Sequence, residues 1–415
     1  MLEKEINVVV AGHICLDMFP EFMDTKKMSF EELFVPGKLT NVSGMRISTG
    51  GPVSNTGIAM HNLGAKISLI AKIGDDFIGE AILNFLKNKV SVEGIKIVKG
   101  ELSSYTIVIA PKDIDRMFLH NPGTNDTFCY DDIDFDLVRS AKLFHLGYPP
   151  LMKRLYQDDG EQLRKIYKRV NELGVITSLD FALPDPNSPS GKVNWNKILK
   201  KVLPYIDIFL PSVEEAQFVL DKEKFLKLRE RAKGKELLHL FDGKELTQLS
   251  NKLLDYGTKI VGLKCGNRGF YVKTASEEKL KKIGGINLDN WSERQLWEPT
   301  YHVEKFASAA GAGDSAIAAF LVALLKGETI EMCLKYACMC GAQNVQALDT
   351  VSGIKNWAQT TREIKSGWGK NELKIKTVGW RYNRKEKLWH GPEDMNRKRS
   401  RIYPEGIPCK TRIRE

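Results

Sequence analysis

Several common features are missing from this 415-residue chain, and each absence narrows what it can be. No apolar run approaches the roughly 20 residues a membrane-spanning helix needs. The longest, Ala316–Leu325, is closed by Lys326 and Gly327. The N-terminus, Met1-Leu2-Glu3-Lys4-Glu5, lacks the basic-then-apolar layout of a secretory signal, so a cytoplasmic protein without a membrane partner is expected. Seven cysteines (15, 129, 265, 333, 338, 340 and 409) show no paired spacing, which fits reduced thiols rather than a disulfide framework. Cys333, Cys338 and Cys340 lie close together without a neighbouring His or CxxC pair, and read as small apolar side chains inside a helix rather than a zinc site. There is no GxxxxGK[ST] phosphate loop. The first strand ends Ala11-Gly12-His13-Ile14-Cys15-Leu16-Asp17, without GxGxxG. Neither a Walker-type nucleotidase nor a dinucleotide-binding dehydrogenase is supported. No fixed-period repeat is present.

What is present is an ordinary globular balance, 42% hydrophobic and 27% charged, with a net charge of +10 concentrated at one end. Residues 361–415 hold 16 Lys and Arg against 7 Asp and Glu, so the rest of the chain is close to neutral. From about Ser366, Trp368, Trp380 and Trp389 are spaced among these basic residues with no long apolar face. Residues 366–415 are read as a basic extension, packed over the core or partly disordered. Interleaved aromatics and cations can hold single-stranded nucleic acid, but a solvated basic tail is the commoner source of such a pattern, so no nucleic-acid partner is expected.

Ahead of the tail, short β-branched runs alternate with segments of helical period. Ile6–Ala11, Ile67–Ile73, Ala141–Leu146, Val175–Leu179, Ile206–Leu210 and Thr258–Leu263 read as buried strands. Asn55–Leu63 and Ile78–Val90 read as helices, and Tyr105–Ala110 with Arg116–Leu119 as a β-hairpin. The alternation predicts an α/β fold, a doubly wound, mainly parallel sheet with helices on both faces. Glu223–Lys244 is expected to be an exposed helical excursion, and Ala275–Pro299 a polar insertion.

The chemistry concentrates at Ala310-Gly311-Ala312-Gly313-Asp314-Ser315, directly before the apolar helix. Small residues let a backbone approach a ligand, and free N–H groups at a helix start attract anions. A carboxylate beside a bound phosphate is repelled unless it handles a proton or a cation. Asp314 is therefore either a general base or an N-cap after a glycine turn, and these residues alone leave the choice open.

Several motifs now stand in a set order across residues 6–355. They are Asp17 after the first strand, Gly50-Gly51-Pro52-Val53-Ser54-Asn55, Ile73-Gly74-Asp75-Asp76-Phe77-Ile78-Gly79 and the Gly311–Ser315 motif. Together they resemble the ribokinase (PfkB-type) carbohydrate kinases. The resemblance implies a kinase domain over 1–365 with a small β lid (about 12–50 and 103–125), ATP and Mg2+ as cosubstrate and cofactor, and a sugar as substrate. In that reading Asp314 is the base, Gly311, Ala312 and Gly313 form the anion hole, and Asp17, Gly50, Gly51, Asn55 and Arg116 bind sugar, with Asn125 a further lid contact. Lys264, Gly266, Gly269 and Asn344 attend the nucleotide. Glu215 acts on magnesium through water, although the family's asparagine before it is Ser212 here. Pro52 stands where relatives that take sugar phosphates put a lysine, which favours an unphosphorylated sugar. Ser308-Ala309-Ala310 lacks the Asp-Thr of members activated by a monovalent cation, which argues against such activation. The resemblance also allows a homodimer through the lid. A nucleoside kinase on the same fold and a non-catalytic ligand-binding relative stay open beside the sugar kinase.

Overall fold

The computed structural model describes residues 7–23, 29–111, 117–234 and 236–395. Fifteen strands follow in chain order: β1 Asn7–Gly12, β2 Cys15–Phe22, β3 Val42–Gly50, β4 Lys66–Gly74, β5 Ile95–Val98, β6 Tyr105–Ile109, β7 Met117–Asn121, β8 Leu143–Gly147, β9 Ile176–Leu179, β10 Ile208–Phe209, β11 Ile260–Lys264, β12 Phe270–Thr274, β13 Gln295–Glu298, β14 Arg381–Asn383 and β15 Leu388–His390. Eleven of them form one sheet in the order β14-β15-β13-β12-β11-β10-β9-β8-β1-β4-β5. From β5 to β11 every pairing is parallel. Beyond β11 the remaining four strands are antiparallel.

Helices cover both faces, so the central strands are apolar on both sides. Successive side chains of a strand alternate faces. Val8 and Val10 accordingly join one core cluster, with the helix Ala312–Leu325, whereas Val9 and Ala11 join the other, with Phe144, Leu163 and Ile166. Ala312–Leu325 is buried almost from end to end. It packs between the helices Pro52–Asn62 and Ile330–Asn344, and its repeated alanines allow that close approach.

The smaller sheet runs β3-β2-β6-β7. β2 pairs antiparallel with β3 and parallel with β6, and β6 with β7 forms the hairpin expected from the sequence, Tyr105 opposite Asn121. It is joined to the main sheet just past the C-terminal end of β1, where β2 begins at Cys15.

Two expectations need correcting. Ala275–Pro299 is no surface insertion, since it contributes β13 to the main sheet and its tryptophans, Trp291 and Trp297, are fully buried. Glu223–Lys244 is only partly exposed, because Phe225, Leu237 and Phe241 anchor it in the second core. Beyond residue 365 the sheet continues, with β15 pairing to β13 and β14 to β15. Trp380 packs against Trp297 and Tyr271. A buried ionic network fixes the far end. Arg294 Nε donates to Asp394 Oδ1 at 2.8 Å and its Nη2 lies 2.7 Å from Glu331. His390 bridges Asp394 and Glu386 at 2.5 and 2.7 Å. Burial opposes the charge on His390, but these two carboxylates win and raise its pKa to about 9.

Candidate active site

Ligands of open parallel sheets bind beyond the carboxyl ends of the strands, where the strand order reverses. Here the chain runs outward from β1 through β4 to β5, then returns to β8 on the other side of β1. His13 follows β1, Tyr148 follows β8, Asp180 follows β9 and Lys264 ends β11, so the topology alone gathers these side chains at one edge.

Asp314 is the hub. It lies in the first turn of Ala312–Leu325, where the helix dipole favours negative charge. It is 3% exposed. Asn55 Nδ2 donates to its Oδ2 at 3.0 Å, while Tyr148 OH and Thr56 Oγ1 donate to Oδ1 at 2.9 and 3.4 Å. Thr350 in turn donates to Asn55 Oδ1 at 2.8 Å, which orients the amide. Burial pushes the Asp314 carboxyl above the usual carboxylate range, against the pull of Asn55, Lys264, Tyr148 and Thr56. A carboxylate moved toward neutral pH and held by three donors is suited to accept a proton. Gly311 makes the preceding turn in the left-handed region at φ 75°, and a Cβ there would meet Thr350 at 2.7 Å.

On one side of Asp314 lies a polar recess bounded by His13, by Asp17 of β2 and by His120 of β7. A Cβ on Gly50 would strike Asp17 Oδ2 at 2.1 Å, and one on Gly51 would strike His13 Nδ1 at 2.6 Å, so the glycine pair leaves room for both side chains. Burial raises Asp17 to about 6, opposed by hydrogen bonds from Cys15 and Thr106. Burial, with His120 adding to it, lowers His13 to about 3 and keeps that imidazole neutral. Neither ring nitrogen of His13 has a hydrogen-bond partner, although the ring is buried and lies 5.5 Å from His120 and 6.3 Å from Tyr148.

On the other side opens a cavity of about 690 Å³ whose near end is formed by Lys264, Ala312 and Gly313. Gly266 and Gly269 line it as well. Lys264 Nζ donates to Asp180 Oδ1 at 2.5 Å and lies 3.9 Å from Glu215 Oε2. Burial works against its charge, but Asp180, Glu215 and Asp314 raise its pKa, so it stays an ammonium. Glu215 completes a capping box in which Ser212 Oγ accepts from Glu215 N at 3.1 Å and Ser212 N donates to Glu215 Oε2 at 2.6 Å.

Three carboxylates thus share one ammonium, and Asp180 Oδ2 is buried without a partner. Burial, with Glu215 and Asp314 adding to it against Lys264, raises Asp180 to about 8, and a divalent cation would draw out its ionised form. Among the described residues no group of three or more side chains encloses a metal unaided. Magnesium does not require one, because it keeps waters and substrate phosphates as ligands beside one or two carboxylates.

Not every expected residue joins the site. Asn344 is fully buried and does not line the cavity. Its amide donates to the Thr350 carbonyl at 2.5 Å, so it braces the loop behind Asn55. Asn125 is spent on the backbone of Ile14, accepting from N at 3.2 Å and donating to O at 2.9 Å. Arg116 lies outside the described residues. Conversely, Tyr148, Asp180 and His13 are central without having been singled out from the sequence. Tyr148 adopts φ 62°, ψ 45°, a left-handed conformation costly for a large side chain and typical of residues held in place for function.

Tyr148→Phe removes a donor from Asp314 and is expected to lower kcat by about 10-fold, on the scale of one hydrogen bond to a charged group. That donor holds the Asp314 pKa down, so the acid limb of the pH–rate profile should move to higher pH. An unmoved limb would show that the Tyr148–Asp314 pair does not set it.

The fold and the sequence both have counterparts among known proteins. Fructokinase-2 of Solanum lycopersicum is 26% identical over 357 residues, covering 82% of this chain and 96% of the relative. The structure of Arabidopsis thaliana ribokinase complexed with ribose and ATP superposes with a TM-score of 0.65 at 19% identity, covering 87% of this chain and 99% of that one. A nucleoside kinase of Methanocaldococcus jannaschii, a member of the ribokinase family, superposes with a TM-score of 0.61 at 17% identity, covering 88% of this chain and 99% of that one. Among the described residues no helix is long and apolar enough to cross a membrane. Residues 7–357 match the model of the pfkB family carbohydrate kinases, and the chain belongs to that family of sugar-phosphorylating transferases.

Proposed function

We propose that the protein transfers the γ-phosphoryl group of ATP to a hydroxyl of an unphosphorylated sugar, with Asp314 as general base. The observation that carries this reading is the setting of Asp314, which accepts from Tyr148, a neighbour of His13, and directly follows Gly313 of the cavity wall. A sugar hydroxyl beside Asp314 loses its proton to the carboxylate as its oxygen bonds the γ-phosphorus. The bond from that phosphorus to the bridging oxygen breaks, leaving ADP. The N–H of Gly313, at a helix start, is left for the negative charge that spreads over the transferring group, and that of Ala312, which donates to Ala309 O at 3.3 Å, can join it by exchanging that bond. Asp17 accepts hydrogen bonds from other hydroxyls, and neutral His13 can donate from one nitrogen and accept at the other. Asp180 and Glu215 are the residues that would hold magnesium, which neutralises phosphate charge when bound. Pro52 packs at Gly147 and brings no cation to the recess, which supports a substrate without a phosphate of its own.

The test is release of ADP from ATP and Mg2+ over a panel of fructose, glucose, ribose, their phosphates and adenosine. Turnover with one unphosphorylated sugar is expected, and the fructokinase relative puts fructose first. Turnover only with a sugar phosphate or with adenosine would replace the acceptor class. ATP binding with no turnover on any acceptor would favour a non-catalytic relative.

A further inference from the structure

The family match ends at residue 357, yet one residue lining the 690 Å³ cavity comes from beyond it: Asn371, which stands beside His302 and Phe306. The segment 368–371 is laced to the strand-like stretch 300–302. Asn371 N donates to Thr300 O at 2.9 Å, His302 N to Gly369 O at 2.8 Å, and Trp368 Nε1 to His302 O at 2.8 Å. Lys370 forms an ion pair with the buried carboxylate of Glu298, directly behind Gly269. Farther on, Asp242 Oδ2 accepts from the N–H groups of Lys376 and Thr377 at 2.9 Å each, and β14–β15 with the Arg294–Asp394 pair secures the end.

The Asn371 side chain is oriented as well as placed. Its Oδ1 lies 3.1 Å from His302 Nδ1. An amide oxygen only accepts, so His302 Nδ1 carries the proton and donates. That bond leaves the NH2 group of Asn371, a residue that lines the cavity, as the donor a ligand could use. Lys264, Ala312 and Gly313 mark the phosphate end, which leaves the part bounded by Tyr301, Val303 and Phe306 for the base.

We infer that the segment 368–371 completes the nucleotide site and that Asn371 Nδ2 donates to a ring-nitrogen acceptor of the bound purine. This inference rests on the ATP-dependent reading above. It gives the C-terminal extension a role that its basic composition did not suggest.

The experiment compares wild type, Asn371→Ala and Asn371→Asp by calorimetric titration with ATP and with inorganic tripolyphosphate, alongside steady-state kinetics. One lost hydrogen bond should weaken ATP binding about 3- to 10-fold in the alanine variant. The aspartate variant should bind ATP more weakly still, because it sets a carboxylate against an acceptor. Tripolyphosphate affinity, the sugar KM and kcat at saturating ATP should stay at wild-type values, which a general loosening of the fold would not allow. Wild-type ATP affinity in both variants overturns this inference alone. Equal weakening for ATP and tripolyphosphate overturns it too, since the effect would then reach the phosphates. A wild-type protein that binds no ATP overturns the functional reading and this inference with it.

Discussion

Asp314→Asn is expected to lower kcat by about 10²- to 10⁴-fold, the usual contribution of a positioned general base, while leaving ATP affinity within a few-fold of wild type. The amide is nearly isosteric, and its oxygen can still accept from Tyr148 and Thr56, which donate to Oδ1. Only the bond from Asn55 is lost, because two NH2 groups would then face each other. The fold should not suffer. Burial raises the Asp314 pKa, so the ionised carboxylate costs stability at every pH above its folded value, and a neutral amide removes that cost. Thermal unfolding at pH 7 to 8 is therefore expected at an equal or higher midpoint. Loss of turnover without loss of stability separates a chemical role from a packing role. Turnover near wild type would sink the assignment of the base.

Much of this site was legible in the sequence because its parts are local. Gly311–Ser315 announces a tight turn before an apolar helix, and Gly50–Asn55 announces close backbone approach after a strand. Each signal lies within six positions, and each meets the same site in the structure. The residues that escaped are those whose meaning depends on distant partners. Tyr148 stands 166 positions from Asp314, and nothing beside it marks an active site except its place between Gly147 and Pro149. Asp180 reads as a lone acid after a strand until Lys264 arrives 84 positions later. The rule that parallel strands present function at their carboxyl ends could have raised both. Ser212 was legible in another way: read against the family it is a missing asparagine, but Ser212-Val213-Glu214-Glu215 is also a capping box, and that is what forms. Asn344 and Asn125 misled because short amides satisfy nearby backbone as readily as ligands. The C-terminal strands have only three residues each, too few for periodicity to register, and they dock through buried aromatics and ion pairs.

Lys264→Met carries the other large expectation, in two separable parts. The first is stability. With the ammonium gone, Asp180 and Glu215 are left buried without their cation, and breaking such a pair from one side costs about 3–5 kcal/mol. Much of this loss should return on adding Asp180→Asn, because an amide needs no counter-ion. Denaturant unfolding of the single and double variants measures the difference. The second part is turnover. Lys264 lies against Gly313, its Nζ 3.8 Å from where a Cβ would stand on that glycine, so the charge sits at the proposed anion hole. Charge aimed at a transferring phosphoryl group is worth about 10²- to 10³-fold in kcat on the scale of a deleted oxyanion-hole donor. The single variant, assayed at a temperature where it is fully folded, should show that drop in kcat with the sugar KM little changed, since the recess of Asp17 and His13 is untouched. A folded Lys264→Met with kcat within a few-fold of wild type would leave Lys264 as a counter-ion for buried carboxylates. The phosphate would then depend on magnesium and the N–H groups at the helix start, that of Gly313 foremost, and Asp180, with its unpartnered Oδ2, would be the side chain to vary next.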